Sequence, residues 1–297
     1  MPKTTTRHPL IGMQQLPVAD VKRLGLAGVE GYMHSPREEM LAYKEVMVSA
    51  HGPTEMQELR MNYAATDDEW RRMSIKDTTD YLDMMRDFPH VKKVNIHFSP
   101  EQWNGVPHPS LIGKREMKEQ TRGNRGEYSR LIDALKEIGA HAAKRKLELT
   151  LENHARYWAL LPPNTDGMKV DWSKQNRYFG TSPEEWVKIA LDINMPNVGL
   201  CLDTSHATTY ARTFPAAERE KVLFSFLARP DLIRHVHWSD SSLTGPAGLT
   251  DAHQLLGVGE LPRAFHKAVK ALDATVLMET FGTVEETEKQ MEFIAGL

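Results

Sequence analysis

Short apolar runs alternate with helical patterns along the whole chain, and this alternation predicts the fold. Runs with period-two patterning fall near residues 10–14, 27–32, 46–51, 92–97, 147–152, 198–203, 233–238 and 274–279, and each reads as a strand. Helices are predicted between them. Over residues 127–144, Tyr128, Leu131, Ile132, Leu135, Ile138 and Ala142 form one apolar stripe at helical spacing. Ser35-Pro36-Arg37-Glu38 predicts a helix start, with Ser as N-cap, Pro at the first helical position and Glu reaching back. Ser182-Pro183-Glu184-Glu185 repeats the device, and Thr283-Val284-Glu285-Glu286 opens the last helix. Eight strand–helix units without a composition break predict one α/β domain over residues 1–297, a single (β/α)8 TIM barrel. A doubly wound sheet is the alternative, but no Gly-x-Gly-x-x-Gly follows an early strand.

Two connections, 98–126 and 155–181, are long for a compact domain. The first runs through Trp103-Asn104-Gly105-Val106-Pro107 into a basic stretch, and the second carries Arg156, Tyr157, Trp158, Trp172, Arg177 and Tyr178. Both are expected as ordered loops on the active-site side. A contact between subunits, and so a homo-oligomer, is the competing reading.

Side-chain parity picks out candidate chemistry. In 147–152 the leucines at 147, 149 and 151 face one side, and Glu148, Thr150 and Glu152 the other. In a barrel the apolar side packs on the helices and the other points inward. The last inward position of each strand is then Glu30, His51, His97, Glu152, Asp203, His237 and Glu279, on strands two to eight. They converge on the C-terminal mouth, where barrel enzymes keep their active sites. Without an inward Lys or Arg, such buried groups point to bound cations. Asp203 and His206 sit three apart where strand six turns, a spacing that also suits a capping Asp beside a surface His. Asp251 and His253, two apart, are expected on one side of an extended segment above turning glycines. His235 is expected to be packed deeper, and His154 to point away.

Bulk composition adds limits. Thirty-seven basic against 40 acidic residues give a net charge of −3, so no global basic field advertises nucleic acid or an anionic membrane. The single cysteine, Cys201, permits no internal disulfide and is expected as a packed thiol. No apolar run reaches membrane-spanning length, and the first eight residues have no apolar signal core, so a soluble cytoplasmic protein is expected.

Taken together, these residues resemble the xylose-isomerase-like barrel superfamily, from about residue 24 to Met278-Glu279-Thr280. That superfamily holds sugar isomerases and epimerases, inosose dehydratases and endonuclease IV. The resemblance to the epimerases implies one divalent metal held by Glu152, Asp203, His237 and Glu279, with His206 close by. The resemblance to endonuclease IV implies up to three ions, adding His51, His97, His206, Asp251 and His253. Zinc, manganese, cobalt or iron suits such donors. The match departs from the nuclease in places. Its Glu-Asn-Thr-Ala-Gly signature is here Glu152-Asn153-His154-Ala155-Arg156, and its Asp-Arg-His is Asp251-Ala252-His253. The 155–181 insertion is also foreign to a protein that must lay its mouth on a duplex.

The leading expectation is a metal-dependent isomerase or epimerase of a small sugar, cyclitol or polyol acid. Glu152 and Glu279 would exchange a proton with the substrate. Glu30 (as a substrate contact or a supporting group), His206, Trp103, Arg156 and Trp158 would surround it. The alternative is a multi-zinc phosphodiester hydrolase. Lys114, Arg115, Lys118, Arg122 and Arg125 would then track phosphates, although that stretch also reads as a solvated surface.

Overall fold

The computed structural model describes residues 8–32, 35–56, 59–105, 122–156 and 170–297. Eight parallel strands close into a barrel: β1 (Leu10–Gly12), β2 (Gly28–Gly31), β3 (Met47–His51), β4 (Lys93–His97), β5 (Glu148–Glu152), β6 (Val198–Asp203), β7 (Ile233–Trp238) and β8 (Thr275–Met278). Each pairs with its sequence neighbours, and β8 closes on β1 through Leu10–Leu277 and Ile11–Met278. Among the described residues the α-helices are α1 (Val18–Arg23), α2 (Arg37–Ala42), α3 (Asp68–Met84), α4 (Tyr128–Lys144), α5 (Pro183–Ile193), α6 (Thr204–Ala211), α7 (Arg219–Ser225), α8 (Arg263–Lys270) and α9 (Val284–Ala295). The barrel is the expected (β/α)8 fold, and every strand run read from the sequence is present.

The main core lies between barrel and helices. Leu131, Leu135 and Ile138 of α4 are fully buried, as are Leu149 of β5 and Leu200 of β6. Each such side chain contributes about 1.5–3 kcal/mol of burial. Two helix starts follow the predicted chemistry. Ser182 Oγ accepts from Glu185 N at 3.3 Å with Pro183 inside the start of α5. Thr283 and Glu286 form a reciprocal capping box on α9. Ser35 does not cap α2. That helix begins at Arg37 and Pro36, extended at φ −53° and ψ 145°, takes the cap position without a side-chain bond. Ser35 stands one residue too early.

The barrel floor corrects a second expectation. Lys93 of β4 is buried, 3.2 Å from Glu148 Oε2, and donates to Thr275 Oγ1 at 2.8 Å and to the Arg234 carbonyl. Arg234 bonds Glu148 at 2.9 Å. Cations therefore do enter the barrel, at its N-terminal end and paired with a carboxylate, leaving the imidazoles and carboxylates at the other end.

The long connections are tied together. Pro100–Gln102 pairs antiparallel with Arg177–Tyr178, and Gln102 bridges to Arg125. Residues 106–121 and 157–169, including Lys114, Arg115, Lys118 and Trp158, lie outside the described residues. Arg122 is engaged by Asp67 at 2.9 Å and Glu69 at 2.7 Å, a surface ion-pair network rather than a free phosphate-tracking cation. Among the described residues no helix is long and apolar enough to cross a membrane.

Candidate metal centre

The C-terminal strand ends bring the expected ligands together. Ligand atoms of Glu152, Asp203, His237 and Glu279 lie within 4.8 Å of one another. Asp203 and Glu152 are 0% and 1% exposed. Around this centre stand two flanking groups. His51 Nε2 and His97 Nε2 lie 3.4 and 3.3 Å from Glu152 Oε2. His206 Nε2 and His253 Nε2 lie 3.2 and 3.3 Å from the two oxygens of Asp251.

Local backbone chemistry sets the donor atoms. His51 Nδ1 donates to the Gly52 carbonyl at 2.9 Å, His206 Nδ1 to the Asn153 carbonyl at 2.7 Å, and His253 Nδ1 to the Glu279 carbonyl at 3.2 Å. Binding one ring nitrogen to a carbonyl fixes which nitrogen is left as a ligand. In all three, Nε2 is left facing a carboxylate, while His206 Nδ1 also lies 3.2 Å from Glu152 Oε1 and His253 Nδ1 3.6 Å from Glu279 Oε2. His237 is reversed: its Nδ1 faces Glu279 at 3.1 Å and Glu152 at 3.4 Å.

Asp203 fills the capping role that its spacing suggested and keeps its second oxygen free of donors. Its Oδ1 accepts from His206 N at 2.7 Å and so caps α6, while Oδ2 is buried with no hydrogen bond. A buried carboxylate oxygen without a donor is costly unless a cation meets it. That orphaned oxygen, with the preset imidazoles, fits a divalent ion.

Two features differ from the sequence reading. Asp251 and His253 are not on an extended segment: both adopt left-handed conformations, φ 54° and 40°. Non-glycine residues held there cost of order 1–3 kcal/mol, strain that recurs at functional sites. Gly257, at φ 83°, supplies the tight turn expected nearby. His154 does not point away. It is buried, stacks on Tyr178 at 3.6 Å, and its ring centroid is 5.4 Å from His97.

Electrostatics follow from crowding. Burial pushes Asp203 well above the usual carboxylate range, reinforced by Glu279 and Asp251. Burial also disfavours charge on Glu152, but the surrounding imidazoles, His97 and His237 foremost, hold it well below its ordinary value. Glu279, opposed by burial and favoured by His237 and His253, falls to about 2. Burial works against the charged forms of His206, His237 and His253, yet neighbouring anionic groups raise all three, His253 to about 10. The metal-free centre thus holds several protons that a cation would displace.

The remaining candidates are placed as follows. Trp103 packs on Tyr178 and Ala155. Arg156 is half-buried just beyond β5, its backbone N–H donating to Thr209 Oγ1 at 2.8 Å. Glu30 is 3% exposed, beneath His237 and bonded to Ser49 and His235, which favours support over substrate contact.

Sequence reasoning gave no role to Asn95 and Asn153. Asn95, the inward position before His97, donates to Glu152 Oε2. Asn153 accepts from Asp203 N at 2.7 Å and donates to Asp203 O at 3.0 Å, locking the ends of β5 and β6 together. Parity could have found Asn95, but nothing in the pattern marked Asn153. Also missed was a cavity of about 540 Å³ lined by Met13, Gln15, Tyr32, Phe281, Thr283 and Glu286. It lies close to Glu279, whose charge adds to burial in raising the Tyr32 hydroxyl pKa.

Residues 18–297 match the xylose isomerase-like TIM barrel family. Among solved structures, a D-tagatose 3-epimerase-like protein superposes with a TM-score of 0.65 at 16% identity, covering 97% of this chain and 96% of that one. A Thermus thermophilus protein soaked with ZnCl2 gives 0.60 at 17% identity, with 97% and 96% covered. The apo 3-keto-D-glucoside 4-epimerase of E. coli gives 0.61 at 13% identity, with 98% and 100% covered. At these identities the likeness is one of fold. No curated protein sequence matches the chain.

Proposed function

Because the chain belongs to the xylose isomerase-like TIM barrels, we propose that it is a divalent-metal-dependent sugar or cyclitol isomerase or epimerase. The observation that carries this reading is the placement of Glu152 and Glu279. Both face His237 Nδ1, at 3.4 and 3.1 Å, within the four-ligand group. Glu152, Asp203, His237 and Glu279 would hold the ion. When bound, a divalent cation supplies Lewis acidity that polarises a carbonyl and makes the adjacent C–H acidic.

The residues then divide the work. One carboxylate removes the carbon-bound proton and the other delivers a proton to the substrate. Which of Glu152 and Glu279 acts first depends on the face of the sugar presented. Asn95 and Asn153 keep Glu152 and Asp203 in place. The cavity beside Glu279 offers an exposed Phe281 face and the Tyr32 and Gln15 polar groups, a pairing that suits a sugar's apolar face and hydroxyls. Two structures of similar fold carry epimerase names, which supports the same reading. The test is to offer the metal-loaded protein ketoses, their phosphates and inososes, and to follow isomer formation by NMR. Conversion abolished by Glu279→Gln supports the assignment.

A second reading rests on the two flanking groups. His51 and His97 around Glu152, and His206 and His253 around Asp251, offer more donors than one ion uses. Two or three ions per chain would suit a phosphodiester hydrolase. Metal analysis, with cleavage of an abasic-site duplex and no sugar conversion, would replace the first reading with this one.

A further inference from the structure

We propose that Glu30 is a positioning residue that sets the ring orientation and donor strength of His237. Glu30 ends the sequence run Gly-Val-Glu on β2, directly beneath the centre, and is 3% exposed. Its Oε1 stands 3.0 Å from His237 Nε2, with His237 Nδ1 turned to Glu152 and Glu279. The other oxygen, Oε2, accepts from Ser49 Oγ at 2.7 Å and faces His235 Nε2 at 2.9 Å. His235 is held from behind, its Nδ1 2.7 Å from Thr275 Oγ1. The carboxylate therefore cannot swing away without breaking contacts to the adjacent strand β3 and, across the barrel, to β7.

The consequence for His237 follows from elementary chemistry. An imidazole that faces a carboxylate through one nitrogen presents the other as a ligand, and the anion makes that ligand more basic. Glu30 is not itself a ligand: the four-ligand group comprises Glu152, Asp203, His237 and Glu279. The 3.0 Å contact is an ion-pair distance whose angle lies off the N–H axis, so the hydrogen bonds to Ser49 and His235 are what hold Glu30 there. The same chain of contacts continues from Thr275 to Lys93, tying the orientation of one ligand to the barrel floor.

This inference rests on the reading of His237 as a ligand, and the test separates the two. Zinc affinity of the wild type, Glu30→Gln and His237→Ala would be measured by competition with a chromogenic chelator. Glu30→Gln keeps the side-chain volume and an oxygen for Ser49 but removes the charge opposite His237. The expected result is a 10- to 100-fold weaker zinc affinity in Glu30→Gln, with a smaller effect on the melting temperature of the metal-free protein than on affinity. Affinity within twofold of wild type would overturn the proposal while leaving the ligand reading intact. No zinc binding by the wild type would overturn both. A second measurement needs no variant: ¹⁵N NMR of imidazole-labelled, zinc-loaded wild type should show His237 protonated at Nε2. Protonation at Nδ1 would also overturn the proposal.

Discussion

Replacing Asn153 with alanine should damage both stability and metal binding. The side chain is fully buried and makes two hydrogen bonds to the backbone of Asp203, at 2.7 and 3.0 Å. Each hydrogen bond contributes about 1 kcal/mol, and each buried backbone group left unsatisfied costs about 1–3 kcal/mol. Partial relaxation and water entry give a combined loss of about 2–5 kcal/mol. For a chain of 297 residues, at roughly 2.1 cal/mol/K per residue, that is a fall of about 3–8 °C in melting temperature. Because the same bonds hold Asp203 beside Glu152, zinc affinity should fall as well. Differential scanning calorimetry with and without zinc reads both effects. A variant that melts within 1 °C of wild type and binds zinc equally would refute the idea that Asn153 braces the centre.

Further outcomes follow from the same geometry. Glu152→Gln and Asp203→Asn should keep the far-UV circular dichroism of wild type but lose zinc affinity by more than tenfold, because both residues stand at the mouth away from the barrel–helix core; wild-type titration curves would contradict this. His253 is raised from 6.5 to about 10, with His206 and His237 raised in the same direction, so their stabilisation is complete below pH 6.5 and is lost as pH climbs toward 10. Glu279, depressed from 4.5 to about 2, stabilises above pH 4.5 and loses that contribution as pH falls through 2. These four groups alone place the melting maximum of metal-free protein between pH 4.5 and 6.5; His97, lowered to about 4 by burial, and the likewise lowered His154 and His235 draw it toward pH 6.5, while Asp203, raised by burial, opposes them. Zinc should rescue the alkaline side, which thermal melts with chelator or zinc will check. Gly180→Ala should destabilise by at least about 2 kcal/mol, since a left-handed residue with a Cβ costs 1–2 kcal/mol and that Cβ would lie 2.1 Å from Phe98 Cδ2; urea unfolding measures it.

The barrel was legible because its strands bury both faces yet keep strict parity near their ends. The rule that Leu149 and Leu151 face the helices also turns Glu152 inward, and the same step recovers His97 on the adjacent strand β4 and His237 two strands away on β7. Three things lay beyond that rule. Lys93 is inward but at the opposite end, and period alone does not say which end a polar side chain serves. The left-handed backbone at Asp251 and His253 is imposed by tertiary contacts, so spacing suggested an extended segment instead. Asn153 acts through the backbone of a neighbouring strand, a contact that no local pattern encodes. Glu30 shows a related limit: parity gave its direction, while its depth beneath His237 came only from packing.

The central claim is that Glu152 and Glu279 move a proton beside a metal-polarised carbonyl. Solvent-exchange NMR tests it most directly. Zinc- or manganese-loaded protein in D2O, given a panel of ketoses and inososes, should place deuterium on the carbon next to the carbonyl of its substrate, and Glu279→Gln should abolish that uptake. Phosphodiester hydrolysis touches no C–H bond. Strand cleavage of an abasic-site duplex, with no deuterium on any sugar, would contradict the account.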